Sequence, residues 1–378
     1  MSFDTLDGAR RNYQALRYQP NAQAIQSFRE FAERQYPEAS KAASGSIFAR
    51  ILVIVVIAPM LFFLFLSMLG MLVSVVSGSS SPLYFVAGLV VTLILAGACG
   101  FGIWAFVKGL RSGGVYPAWF KLFYFANENG FRFTPLTTNP FYPGMIFNIG
   151  SGRQSSNRIH SAPNQRFFDM GTMRFVTGSG KNQTTHIWGY LTFQLDRRLP
   201  HIVLDSKQNN GNLFGLEMSN LPSSFSKDQR LSLEGNFDDY FTLYCPSQYE
   251  RDALYVLTPD LMALLIDHSA PFDVEIVDDL VFVYSQRGFD LSDEALTRRL
   301  FGILDTVGAK TLRQSHRYAD DRVPDSSMNV VAVPGQRLRS RWWVAIVTAL
   351  VIVFGLPLLG ILTTMIGGLI AVLTGSGR

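Results

Sequence analysis

Cysteine is scarce in this chain. Cys99 and Cys245 are the only two in 378 residues, which excludes a disulfide framework and any zinc site built on cysteine. Histidine is scarce as well. His160, His186, His201, His268 and His316 show no two-histidine helical spacing, and none neighbours a cysteine. Charge is the third shortage, at 16% against about 25% in an ordinary globular protein. No Gly-x-Ser-x-Gly elbow occurs, so nucleophilic hydrolase chemistry lacks its usual mark. Gly178-Ser179-Gly180-Lys181 fails as a phosphate-binding loop, because Phe175 and Asn182 stand where Gly and Ser or Thr are required.

What is plentiful is apolar surface. Hydrophobic residues make up 48% of the chain and aromatics 13%, too much for a disordered one. No residue from Ile51 to Val107 is charged, and Gly78-Ser79-Ser80-Ser81-Pro82 divides this run in two. A further charge-free run covers Trp342–Gly377. A span needs about 20 apolar residues, so the pattern predicts transmembrane helices over 47–77, 82–108 and 342–374. Lys41, Arg50, Lys108, Arg111, Arg337, Arg339 and Arg341 flank these segments, whereas the Ser-rich loop has no charge. The positive-inside rule then predicts a multi-pass protein of the bacterial inner membrane, with the N-terminus and main domain cytoplasmic and the C-terminus outside. Anionic headgroups at Lys108, Arg111, Arg337, Arg339 and Arg341 are the partners this implies. Gly88, Thr92, Ala96 and Gly100 recur every four residues as a smooth stripe, which points to a homo-oligomer of packed helices.

The net charge of +4 does not indicate a nucleic-acid partner. Residues 115–229 hold 11 basic and 6 acidic side chains, and residues 230–335 hold 9 and 18. The basic excess therefore sits beside the apolar runs and in the first half of the main domain.

Between the runs, residues 1–46 read as an amphipathic helical segment broken at Pro20 and Pro37. Residues 115–319 read as an α+β domain, basic over 115–229 and acidic over 230–319, followed by a linker and basic juxtamembrane segment over 320–341. A helix ends at Asn129-Gly130. Arg166–Val176 and Thr185–Leu195 flank a Gly-rich turn as a hairpin, and His201–Leu204 reads as a further strand. Ser247 is placed to cap a helix running through Leu257, Pro259 starts another, and Ser292 is placed to cap a third. Asp278-Asp279 reads as a tight hairpin turn. The expected fold class is thus a membrane protein: three transmembrane α-helices plus an α+β cytoplasmic domain with an antiparallel β meander.

The stretch Leu231-Ser232-Leu233-Glu234-Gly235-Asn236-Phe237-Asp238-Asp239-Tyr240-Phe241, with Leu257-Thr258-Pro259-Asp260-Leu261-Met262, resembles a family of uncharacterised actinobacterial multi-pass membrane proteins. The resemblance covers about residues 230–285. It implies a membrane-anchored cytoplasmic domain and brings no catalytic, cofactor or metal residues with it. The expectation for function is a binding, scaffolding or regulatory module. The alternatives are a tethered hydrolase-like enzyme using Asp238, Asp239 or His186, and an oligomeric pore component. Cys245, between Tyr244 and Pro246, reads as a small buried residue.

Overall fold

A computed structural model of the chain describes residues 11–43, 114–213, 216–233, 235–325 and 327–339, with scattered positions between 59 and 104. Strands β1 (Arg132–Thr138), β2 (Ser151–His160), β3 (Phe168–Thr177) and β4 (Thr184–Ser206) follow one another as an antiparallel meander. The β3–β4 hairpin closes at Thr177 and Thr184. Its Gly178 has φ +81, and a Cβ there would strike the Asn182 carbonyl, so glycine is required at this point.

β4 is 23 residues long and organises the rest. Beyond a small separate hairpin of β5 (Gly211–Leu213) and β6 (Leu216–Met218), the chain adds β7 (Arg230–Leu231), β8 (Phe241–Tyr244) and β9 (Asp273–Ser285). The first part of β4 lies between β3 and β9, and its last residues lie between β8 and β9. The register breaks midway. Gln194 pairs with Leu280 and Leu199 with Asp278, so residues 195–198 bulge opposite Asp279. Asp278 takes φ 56 at the break.

This corrects the expected Asp278-Asp279 turn, since the left-handed residue kinks one continuous strand instead of ending it. His201–Leu204 is likewise the continuation of β4 across its bulge, not a strand of its own.

The alternation along each strand sorts the sheet's two faces. Phe168, Met170, Leu191, Phe193, Val281 and Val283 face the helices. Those helices are α1 (Gln14–Arg17), α2 (Ala22–Gln35), α3 (Tyr116–Glu128), the single turn α4 (Phe237–Tyr240), α5 (Glu250–Val256), α6 (Pro259–Leu264), α7 (Glu294–Ile303), α8 (Ala309–Ser315) and the single turn α9 (Val333–Gln336). In α3, Trp119, Leu122, Phe125 and Ala126 are buried at helical spacing, and Asn129 caps its end before Gly130 at φ 70. Fully burying an aromatic such as Phe125 contributes about 2–3 kcal/mol. The opposite face carries Met173, Phe175, Trp188, Tyr190, Phe282 and Tyr284 under the segment 140–149, whose Ile146 and Phe147 complete a smaller core.

The caps differ from those the sequence suggests. Ser247 donates to the Asp228 carbonyl and leaves α5 without a side-chain cap. Asp293 caps α7 by accepting from the Ala295 N–H, while Ser292 bonds to Asp290. At α7 the Asp293 carboxylate takes the cap because it accepts strongly from a helix N–H.

The three-span fold class is corrected. Among the described residues no helix is long and apolar enough to cross a membrane, so the multi-pass membrane description and the inner-membrane placement fall with it. The physical reason lies in what hydropathy measures, which is side-chain composition and not helix length. The longest described helical stretch, 294–315, carries Glu294, Arg298, Arg299, Asp305, Lys310 and Arg313. The 14-residue α2 rises only about 21 Å, against roughly 30 Å of hydrocarbon. Most of residues 47–77 and 82–108, and all of 342–374, lie outside the described residues. Of the small-residue stripe, Thr92, Ala96 and Gly100 are helical and Gly88 lies outside.

Candidate functional site

Three constellations of polar side chains are built on this sheet. The first two hold the architecture. Asp169 on β3 is buried and accepts from the Tyr142 hydroxyl at 2.7 Å, the Tyr190 hydroxyl at 3.2 Å and the Arg158 guanidinium at 2.6 Å. Burial works against the charge on Arg158, and Asp169 more than restores it. Burial and then Asp169 push the Tyr142 phenol up, so it stays a donor. Glu275 on β9 is buried too, and accepts from the Tyr284 hydroxyl, the Met145 N–H and His201 Nε2, at 2.8, 2.8 and 2.9 Å. Tyr142 and Met145 are both on the segment 140–149, so the two carboxylates pin that segment over the small core. Gly144 belongs to the same contact, because a Cβ there would overlap the Tyr284 hydroxyl.

His201 also ties down the far end of the chain. Its Nδ1 accepts from the Leu338 N–H at 3.0 Å, which leaves Nε2 to donate to Glu275. Around Leu338, Gln229 brackets the Arg339 backbone through both amide atoms, at 2.8 and 3.0 Å. Arg337 pairs with Asp278 at 2.9 Å and Arg339 with Asp228 at 2.5 Å. Two of the five basic residues that the sequence assigns to lipid headgroups, Arg337 and Arg339, therefore meet carboxylates of their own chain. Lys108, Arg111 and Arg341 lie outside the described residues.

The third constellation is an open cleft of about 590 Å³ where β1, β2 and the β2–β3 connection meet. Arg132 opens β1 and pairs across the sheet with His160, the last residue of β2, which in turn pairs with Asp169. Residues 161–167 form the opposite wall, held in a turn by Gln165, whose N–H donates to the Ala162 carbonyl and whose Oε1 accepts from the Ala162 N–H. The amide NH2 of Gln165 stays free for another acceptor. Arg166 reaches Asp196 at 2.8 Å, and Asp196 also receives His316 at 3.3 Å. Burial raises the Asp196 carboxyl, but Arg166 and His316 hold it below its ordinary range.

His160 is the cleft's one imidazole. Its Nδ1 donates to the Ser161 carbonyl at 3.3 Å, so Nε2 accepts from the Thr134 hydroxyl at 3.0 Å. Burial lowers its pKa, opposed by Asp169 and reinforced by Arg158 and Arg132. It is neutral at pH 7, and both ring nitrogens are committed. Phe167, half-buried, supplies an apolar wall with Pro163.

The residues singled out from the sequence are not brought together. His186 is near the start of β4, bonded to Thr177 Oγ1 at 2.7 Å and stacked on Phe175. Asp238 and Asp239 are in α4, beside β8 and so at the other end of β4; Asp238 accepts from Ser232 Oγ and the Leu233 N–H. Cys245 is buried, which pushes its thiol up to about 12. Among the described residues no group of three or more His, Cys, Asp or Glu could hold a metal ion. Arg132, Arg166, Phe167 and Gln194 went unread in the sequence. The one local signal for this place is the loop composition of Ser161-Ala162-Pro163-Asn164-Gln165, which the sequence reading did not use.

No family model matches the chain, and no curated protein matches it. Among solved structures, the crystal structure of the mycobacterial trehalose monomycolate transport factor A, TtfA, is similar over 51% of this chain and 93% of that one, with 10% identity and a TM-score of 0.33. A likeness of that size assigns neither family nor function.

Proposed function

We propose that this chain is a binding or regulatory module that performs no chemistry of its own, and that its cleft beside β1 and β2 receives the ligand. The observation that carries the proposal is the state of His160. It is the cleft's sole acid–base group apart from arginine, and Thr134 and Ser161 occupy both of its nitrogens. General acid–base catalysis needs a group within hydrogen-bond reach of the substrate's proton and free to exchange it. The buried carboxylates Asp169 and Glu275 are engaged by donors of the scaffold, which supports the same reading.

The test is a panel of ester, phosphoester, glycoside and nucleotide substrates incubated with the full chain. No turnover is expected, while cleft ligands should raise the unfolding temperature. Turnover that is abolished by His160→Gln, with the fold intact, would overturn the proposal.

A further inference from the structure

The cleft's chemistry is more specific than its shape. Two guanidiniums, Arg132 and Arg166, face it, and no carboxylate lines it. The nearest carboxylate, Asp196, is already shared between Arg166 and His316. Arg132 is exposed, and its side chain takes part in no hydrogen bond or ion pair among the described residues. Its charge therefore has no internal counterpart, unlike that of Arg158 one ladder step away on Asp169. The free NH2 of Gln165 adds a neutral donor, and Phe167 adds an aromatic wall. A volume of about 590 Å³ lies within the range of roughly 300–1,000 Å³ typical of small-molecule sites.

Resting on the binding-module reading above, we propose that the ligand is a small organic oxyanion, a carboxylate or a phosphate ester, carrying an apolar body. The oxyanion sits on Arg132 and the Gln165 amide, and the apolar body lies against Phe167. Arg132 is the determinant because a guanidinium presents paired N–H donors that match an oxyanion's two oxygens. Arg166, paired with Asp196, lies in the second wall and leaves Arg132 as the uncompensated charge. Neutral His160 forms the floor without competing for the anion.

Binding to the full chain is measured by titration calorimetry and by amide shifts of residues 160–167, with four probes: phenyl phosphate, phenylacetate, benzyl alcohol and inorganic phosphate. Phenyl phosphate or phenylacetate should bind at least about tenfold more tightly than benzyl alcohol and than inorganic phosphate. Whichever of the two organic anions binds more tightly identifies the head group as phosphate or carboxylate. Arg132→Ala should weaken that binding by about tenfold, a loss of about 1.4 kcal/mol, and flatten its salt dependence. Phe167→Ala should weaken the organic anions but leave inorganic phosphate unchanged.

Arg132 has no partner to lose, so an unchanged melting temperature confirms that the variant is folded. Equal binding of benzyl alcohol and phenyl phosphate in the cleft would overturn the oxyanion assignment and leave the binding-module reading standing. An Arg132→Ala variant that binds as wild type does, or no shift at residues 160–167 with any probe, would also overturn the assignment. Only turnover of a substrate touches the underlying reading.

Discussion

A single buried carboxyl sets much of the pH response. Asp273 opens β9 with no exposed surface and accepts from the Ser206 N–H at 2.9 Å. Burial, opposed by that N–H and reinforced by Asp205, pushes its carboxyl up to about 7. An unfolded aspartate titrates near 4, so between about pH 4 and 7 the folded chain keeps a proton that the unfolded chain has released. Stability consequently falls as pH rises through that window. About three pH units at roughly 1.4 kcal/mol each gives a loss on the order of 4 kcal/mol. Asp273→Asn keeps an acceptor for Ser206 and removes the charge. Denaturant unfolding at pH 4.5 and pH 8 should show wild type losing several kcal/mol that the variant retains. Parallel pH profiles for the two proteins would refute this account.

At the scale of elements, the segment from α9 to Arg339 is a strap with few anchors, and Gln229 is the one to test. Its side chain is buried and satisfies both the N–H and the C=O of Arg339. Gln229→Ala leaves those two backbone groups unpaired, at about 1–3 kcal/mol for each that stays buried. Hydrogen exchange at the amides of Leu338 and Arg339 should accelerate at least tenfold, while β3 and β4 keep their protection. Unchanged exchange there would show that the His201–Leu338 bond and the Arg337 and Arg339 ion pairs hold the strap without Gln229.

Such anchors are not legible in the sequence, because each pairs residues far apart along it, 110 positions for Gln229 and Arg339 and 59 for Arg337 and Asp278. The local elements were legible. The α3 spacing with its Asn129-Gly130 end, the β3–β4 turn and Pro259 at the start of α6 depend only on near neighbours. Asp278 was misread for a related reason: a left-handed aspartate looks the same in a turn as in a bulge until its partner strand is known. The cleft was the least legible feature, since Arg132, His160, Arg166 and Gln194 meet only once four strands are in register.

For the molecule as a whole, the N-terminal segment is a clamp and not an appendage. Arg11 makes a two-point ion pair with Asp305, and its guanidinium lies over the Phe301 ring at 4.4 Å. Arg17 pairs with Glu294, which Arg298 also contacts. Phe28 packs on Phe120 and Phe123 of α3. Arg11→Met keeps the apolar stem but leaves Asp305 unpaired, and should lower unfolding stability by about 1–3 kcal/mol after allowance for partial exposure. Limited proteolysis should then cut between α1 and α2 sooner than elsewhere. Arg17 and Arg298 hold the Glu294 carboxyl down to about 2. That contact is therefore present above the ordinary glutamate range and lost as pH falls toward 2.

The length of β4 has a consequence for synthesis. Its first partner, β3, leaves the ribosome before it, but β8 and β9 come after residues 207–240 and 207–272 have been made. At about 5–20 residues per second, a 23-residue ribbon stays open on one edge for several seconds. Unpaired backbone of that kind invites pairing with neighbouring nascent chains. Yield from the cell should therefore depend on translation speed and on chaperones that shield open β-edges, far more than the finished protein's stability would suggest.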